Sequence, residues 1–128
     1  MEVLSSRVLL RPRDPARSRR FYADTLGLAV YREFGPPEQP GVVFFLGHGF
    51  LELSGRSDDG PAAAVALWLQ VRDVAAEEER LTKAGVTVLR EARTEPWGLV
   101  ELWITDPDGN RIVLVQIPDD HPLRRDTR

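Results

Sequence analysis

The spacing of apolar residues predicts a chain made mostly of short strands. Runs with valine, leucine, isoleucine or phenylalanine at alternating or consecutive positions are typical of half-buried or fully buried strands. Glycine- and proline-rich segments separate several of these runs, and DPDGN at 106–110 predicts a tight turn. The runs are VLSSRVLLR, AVYREF, GVVFFLG, FLELSG, AVALWLQV, VTVLRE, LVELWIT and RIVLVQI.

Two segments carry helix signals. Each follows an aspartate, Asp14 or Asp73, whose side chain can accept hydrogen bonds from the free amides of a first turn. Pro15 takes the first helical position of the earlier segment, where a missing N–H costs least. Gly27 and Gly85 end the two segments, because glycine readily adopts the left-handed conformation that follows a helix.

The predicted elements occur twice in the same order. GLAVYRE (27–33) and GVTVLRE (85–91) have identical residues at four of their seven positions, and each follows one predicted helix. Such self-similarity indicates a tandem duplication. We therefore predict an α+β fold with two βαβββ modules in a single domain, 1–128. The predicted boundaries are about 3–56 for module one, about 62–118 for module two and 119–128 for a tail that lies loose or drapes on the surface.

Composition narrows the range of partners. The 128 residues carry a formal net charge of −3 and include no cysteine, which excludes disulfides, thiolate metal ligands and thiol nucleophiles. The arginines between positions 11 and 20 are interpreted as a solvated helix face. No apolar run approaches the ~20 residues needed to span a bilayer. The sequence therefore predicts a cytoplasmic protein that binds neither nucleic acid nor a membrane.

The predicted repeat contains motifs of a known superfamily. RPRDPARSRRFYADTLG in the first module, with PWG and DPDGN in the second, resembles the vicinal oxygen chelate superfamily. That superfamily includes glyoxalase I, extradiol dioxygenases and bleomycin-resistance proteins. The resemblance covers residues 3–117 and implies the glyoxalase/bleomycin resistance/dihydroxybiphenyl dioxygenase-like fold. Because both metal enzymes and metal-free binders have this fold, the fold alone does not decide the function.

The resemblance also implies where a metal would bind. Metal-dependent members take four ligands from the first and last strands of the two modules. The corresponding positions here are Arg7, Glu52, Ala66 and Val113. Glu52 is the only surviving candidate ligand, since arginine is cationic and the other two side chains have no donor atom. Catalytic zinc commonly has three protein ligands. The resemblance therefore implies no metal and no cofactor.

Strand alternation extends these positions to whole faces of the predicted sheets. If Arg7 and Glu52 face a cavity, every second residue along their strands faces it too. The alternate positions, predicted to lie under the first helix, are Val8, Leu10, Leu51 and Leu53. The predicted ligand-binding residues of both modules are Arg7, Leu9, Arg11, Phe50, Glu52, Trp68, Gln70, Trp97, Glu101, Trp103 and Val113.

Two groups of these residues also have simpler interpretations. Arg7 and Glu52 are expected to form an ion pair in place of the metal's charge, because a partly buried arginine generally requires an acidic partner. Trp68 and Trp103 could be ordinary sheet packing, since aromatic residues favour strands. Both interpretations stay open alongside a role in ligand binding.

Tryptophans combined with a few charged groups suit a planar or amphipathic ligand. The sequence favours a metal-free binding protein of the bleomycin-resistance type, which holds an aromatic or amphipathic small molecule without breaking a bond and forms a homodimer. One alternative is a metal-dependent lyase, isomerase or dioxygenase of the same superfamily, with a glyoxalase-like lyase as the favoured enzyme. A second alternative is an interaction module whose open faces serve only dimerisation.

Overall fold

The computed structural model of the chain describes residues 1–123. The chain forms two compact units that meet between Gly60 and Pro61 in the sequence, here called the first and second modules. The prediction that both belong to a single domain stays a prediction. The first module contains β1 (Arg7–Leu10), α1 (Pro15–Arg20), a π-helical segment (Phe21–Thr25), β2 (Val30–Phe34), β3 (Gly41–Leu46) and β4 (Gly49–Leu53). The second contains β5 (Ala66–Gln70), α2 (Val74–Lys83), β6 (Val88–Thr94), β7 (Val100–Thr105) and β8 (Arg111–Gln116).

Each module has one four-stranded sheet with the same topology. The strand orders are β1-β4-β3-β2 and β5-β8-β7-β6. In both sheets the first and last strands of the module are parallel neighbours, and all other neighbours are antiparallel. The predicted α+β fold of two tandem βαβββ modules is confirmed.

The helix boundaries follow the signals in the sequence. The Asp14 carboxylate accepts a hydrogen bond from the Arg17 amide at 3.1 Å, and the Asp73 carboxylate accepts one from the Ala76 amide at 3.0 Å. These bonds satisfy amides that have no partner within the helix. Gly27 has a φ of 76°, as expected for the residue after a helix. The π-helical turn that extends α1 has no signal in the sequence, and it buries the adjacent rings of Phe21 and Tyr22.

One face of each sheet carries the apolar core. Burying these side chains supplies the main favourable contribution to folding. Helix α2 contacts β6, β7 and β8, and α1 contacts β4. The buried residues on the helix side include Phe21, Tyr22, Val42, Phe44, Leu51 and Leu53 in the first module, and Val74, Leu81, Leu102, Ile104, Ile112 and Leu114 in the second. The opposite face of each sheet is here called its helix-free face.

The structure corrects two predictions and decides between the alternatives for a third. The first strand, predicted over residues 3–11, is limited to Arg7–Leu10, because these four residues are the ones that pair with β4. Val8 was expected under the helix but is 38% exposed, since β1 is an edge strand. Of the two alternatives for the tail, the packing of Leu123 against an apolar cluster of the second module supports a segment that drapes on the surface. The rest of the predicted tail, 124–128, lies outside the described residues.

Within residues 1–123, no helix has the length and apolar character that crossing a membrane requires.

Candidate functional site

The helix-free face of the first sheet contains an ion pair at the projected metal position. Arg7 Nη1 donates to Glu52 Oε1 at 2.9 Å, and Ser54 Oγ donates to Glu52 Oε2 at 2.7 Å. The two strands are parallel neighbours, with Leu9 directly opposite Glu52. Side-chain exposure is 39% for Arg7 and 16% for Glu52, so water still reaches the pair. The expected contact is therefore present, but it is not fully desolvated.

Glu52 is held in its charged form by these contacts. The hydrogen bond from Ser54 has the largest effect in lowering the pKa of the Glu52 carboxyl, followed by the hydrogen bond from Arg7. The positive charges of Arg7 and Arg11 lower it further, whereas burial opposes the shift. A carboxylate with both oxygens already accepting hydrogen bonds can serve as a fixed negative charge. It is poorly suited to taking up a proton near neutral pH.

Arg11 lies at the end of this polar group. Its Nη1 donates to the Ser54 carbonyl at 3.4 Å. The guanidinium lies so close to Gly55 that a Cβ there would come within 2.6 Å of Nη1. A glycine at position 55, with a φ of +64°, is therefore needed for this approach.

An aromatic cluster on the same sheet was missed by the sequence analysis, apart from Phe50. Tyr31 stacks on Phe50 with ring centroids 4.9 Å apart, and Phe45 lies 5.1 Å from Tyr31 and 5.9 Å from Phe50. Tyr31 is 49% exposed and Phe45 is 46% exposed. Phe45 pairs directly with Phe50 across β3 and β4, so hairpin register could have identified it. Tyr31 sits at a register shift in β2, which simple alternation does not anticipate.

The second helix-free face has a row of aromatic and apolar side chains. Trp68, Val113, Trp103 and Arg90 pair in succession across all four strands. Trp68 is 49% exposed, whereas Val113 is 3% exposed. The Arg90 guanidinium carbon lies 6.0 Å from the centroid of the Trp103 ring, at the limit of a cation–π contact. Gln70, one row further along β5, pairs with Val115 and is exposed.

Two buried carboxylates lie next to this row. Trp97, at the tip of the β6–β7 connection, donates from Nε1 to Glu101 Oε2 at 2.8 Å. Arg90 Nη2 bonds to Glu95 and lies 3.9 Å from Glu101 Oε1. Arg93 Nε donates to Glu95 Oε1 at 3.0 Å. Glu95 and Glu101 are 3% and 6% exposed, so their charges depend on these partners.

Sequence reasoning identified Trp97 and Glu101 but missed Arg90, Arg93 and Glu95. Residues 90 and 93 are separated by a register shift in β6, which brings both guanidinium groups toward one carboxylate. The Glu95 amide donates to the Leu99 carbonyl and the Gly98 amide donates to the Glu95 carbonyl, so the 95–99 turn fixes the backbone that carries this carboxylate. Neither feature follows from an alternation of polar and apolar positions.

Trp103 and Arg90 each retain an unused donor. Among residues 1–123, Trp103 Nε1 and Arg90 Nε are buried and have no hydrogen-bond partner. A buried donor without an acceptor carries a desolvation cost, so each of these atoms favours an acceptor supplied from outside the described chain.

The residues at the projected metal positions do not fit a metal centre. Arg7 and Glu52 bond to each other, and Ala66 and Val113 have no donor atoms. In the part of the chain that the structure describes, no three histidine, aspartate or glutamate side chains are grouped so as to hold an ion. The donor set therefore does not match the His, Glu and Gln sites that the resemblance implies for the metal-dependent members.

A separate concavity of about 250 Å³ lies on the helix side of the first sheet. Its floor includes Val42 and Leu53, and its rim includes Arg19 and Glu38. This volume is below the roughly 300–1,000 Å³ usual for drug-sized ligands. The helix-free faces remain the better candidates for a ligand site.

The fold is that of a known protein superfamily. The chain belongs to the Glyoxalase/Bleomycin resistance protein/Dioxygenase superfamily, whose family model matches residues 5–114. A lactoylglutathione lyase from Salmonella typhimurium is 31% identical over 122 residues, covering 87% of this chain and 90% of the relative.

Solved structures of similar fold include proteins of more than one kind. TnmS3, an antibiotic binding protein from Streptomyces sp. CB03234, has a TM-score of 0.75 and 24% identity, with 91% of this chain and 98% of that chain covered. At this identity the likeness shows the fold alone. A superfamily member from Sphaerobacter thermophilus DSM 20745 has a TM-score of 0.68 and 26% identity, with coverages of 91% and 97%.

Proposed function

We propose that this protein binds a small aromatic or amphipathic molecule without a metal ion and acts by sequestering it. The observation that carries the proposal is the Arg7–Glu52 pair, since the one remaining candidate ligand carboxylate already accepts hydrogen bonds from Arg7 and Ser54. A cation at this position would have to compete with the guanidinium. Without a Lewis acid, the protein lacks the main electrophile used in metal-assisted isomerisation.

The composition of the two faces supports an aromatic ligand with charged groups. Tyr31, Phe45 and Trp68 are each about half exposed, and exposed rings provide stacking area for a flat molecule. Glu52 and Glu101 favour a cationic group, whereas Arg7 favours an anionic one. An amphoteric aromatic compound therefore fits these faces better than a sugar does.

A two-fold symmetric homodimer and a cytoplasmic location belong to this proposal. The Tyr31, Phe45 and Phe50 rings form an apolar surface next to the exposed Leu9. Contiguous exposed apolar surface commonly marks an interface, and most homo-oligomers are symmetric dimers.

A lyase is the second candidate, favoured by the 31% identity to the lactoylglutathione lyase from Salmonella typhimurium. In that case Glu52 would have to leave Arg7 and bind a metal whose other ligands come from water or another chain. The two candidates differ in a simple way. Lyase activity would require an added divalent cation, whereas ligand binding would not.

Tryptophan fluorescence tests the proposed function. A panel of planar cationic and zwitterionic aromatic compounds is titrated into the protein in the presence of a chelator. We expect at least one compound to change the emission, and Trp68→Ala to weaken its binding by about tenfold, which corresponds to one to two lost stacking contacts. Leu89→Ala, which truncates another half-exposed residue of the second sheet, is the control. An unchanged emission throughout the panel would contradict the proposal.

A further inference from the structure

The chain folds back on itself after β8, over residues 118–123. The His121 amide donates to the Pro118 carbonyl at 3.0 Å, which closes a turn. The Leu123 amide then donates to His121 Nδ1 at 3.1 Å, and His121 Nε2 lies 2.9 Å from the Trp97 carbonyl. Because Nδ1 accepts a hydrogen bond from the Leu123 amide, Nε2 is the ring nitrogen that donates to the Trp97 carbonyl. One imidazole ring therefore ties this segment to the β6–β7 connection.

The same segment covers apolar surface of the second helix-free face. Leu123 packs against a cluster to which Trp103 also contributes, and whose members are Leu99, Val113, Val115 and Ile117. Gly98 allows the close approach of His121, because a Cβ at position 98 would lie 3.0 Å from its Cδ2 atom. Residues of both segments therefore contribute to this contact: Gly98 in the 95–99 turn and Leu123 in the covering segment.

We propose that residues 118–123 are an internal competitor, with Leu123 occupying the apolar part of a ligand site on the second helix-free face. The inference rests on the proposed binding function and names the regulation of that same site. A ligand must displace Leu123 to occupy its place on the apolar cluster, against which Trp103 also packs, so its affinity depends on the fraction of molecules in which the segment is open.

The covered surface also specifies the ligand chemistry. The ligand replaces Leu123 with a compact apolar or aromatic group, because the surrounding cluster is apolar. Trp103 Nε1 is a buried donor without a partner among residues 1–123, so an adjacent carbonyl, carboxylate or sulfonate oxygen on the ligand supplies its missing acceptor. The class is thus an apolar group bearing an anionic or carbonyl oxygen.

Acrylamide quenching tests the cover without any ligand. In a Trp68→Phe/Trp97→Phe background, Trp103 is the only tryptophan of the chain. We expect Leu123→Ala to raise the quenching constant of Trp103 toward that of an exposed indole. His121→Ala should act in the same direction, since it removes the tie while keeping Leu123. Pro122→Ala, at an exposed position of the same segment, should leave the constant unchanged. A constant that responds to neither Leu123→Ala nor His121→Ala overturns the proposal.

A titration with 8-anilinonaphthalene-1-sulfonate, which has an apolar ring system and a sulfonate, tests the internal competitor separately from the proposed binding function. We expect Leu123→Ala to bind the dye about fivefold more tightly than the unmodified chain, with Pro122→Ala unchanged. Equal affinity in all three proteins overturns the competitor while the binding function stands. Absence of binding in all three, with Trp103 uncovered in Leu123→Ala, contradicts the binding function itself.

Discussion

The two modules share a strand topology and register but present different helix-free faces. Glu52 in β4 pairs with Leu9 and Val43, and Val113 in β8 pairs with Trp68 and Trp103 in the same arrangement. Glu52 and Val113 therefore occupy equivalent positions. The first face keeps a carboxylate, pairs it with Arg7 and exposes an aromatic cluster. The second face has the apolar Val113 in place of the carboxylate, within a buried cluster against which Leu123 packs.

This difference indicates which part of the duplicated unit is constrained. The helix-covered faces of both sheets have the same alternation of buried apolar residues, because burial on that side stabilises the fold. The helix-free faces differ more between the modules, although each includes buried valines: Val43 in the first and Val113 and Val115 in the second. The first face carries charged and aromatic side chains, and the second carries a row of aromatic and apolar side chains.

The largest effect is expected from the buried carboxylate of the second module. Glu95→Gln removes the charge that partners Arg90 and Arg93, and we expect a loss of about 2 kcal/mol in the free energy of unfolding, as for hydrogen bonds between charged groups. Urea denaturation measures it. Glu91→Gln, an exposed residue of the same region, should cost less than about 0.5 kcal/mol. Equal effects of both substitutions would show that the Glu95 network is not stabilising.

A smaller effect is expected from the solvated pair of the first module. Glu52→Gln should cost about 1 kcal/mol at neutral pH, since Arg7 is 39% exposed and water screens the pair. Because the pKa of Glu52 is lowered, the contribution of the pair to the free energy of unfolding depends on pH. It is fully present above the ordinary glutamate pKa of 4.5 and is lost as pH falls through the lowered value.

The pH dependence of this pair is measured by comparing the unmodified chain with Glu52→Gln in urea at several pH values. The difference between the two should shrink under acidic conditions. Glu38→Gln, at an exposed loop position of the same module, serves as the control and should follow the unmodified chain. A difference that stays constant down to strongly acidic pH would exclude the ionised pair as its cause.

Substitutions in the two sheets are expected to differ in their effect on dimer formation, with little effect on the free energy of unfolding. Phe45→Arg places a charge in the exposed aromatic cluster, and we expect it to shift the proposed dimer to monomer, while the free energy of unfolding changes by less than about 0.5 kcal/mol per subunit. Sedimentation velocity at micromolar concentration measures the state. Leu89→Arg, at a half-exposed position of the second sheet, should leave the dimer intact. A monomeric unmodified chain would rule out the dimer.

Regular strand pairing made much of the fold and part of the candidate site predictable from the sequence. The Arg7–Glu52 contact follows from strand alternation in two neighbouring parallel strands. Tyr31 was missed because a register shift in β2 turns it toward Phe45 and Phe50. Leu123 was missed because a segment without periodicity gives no signal, and its position depends on a local hydrogen bond to His121 and on tertiary packing against the apolar cluster.

Native mass spectrometry tests the central claim, metal-free binding of a small molecule, most directly. The protein is purified without added cations, and then measured alone and with the aromatic compound selected by fluorescence. We predict a mass without a bound transition metal in the first case and one ligand per subunit in the second. Stoichiometric zinc, nickel or iron that is lost in Glu52→Gln, together with ligand binding only in the metal-bound protein, would contradict the account and favour the lyase.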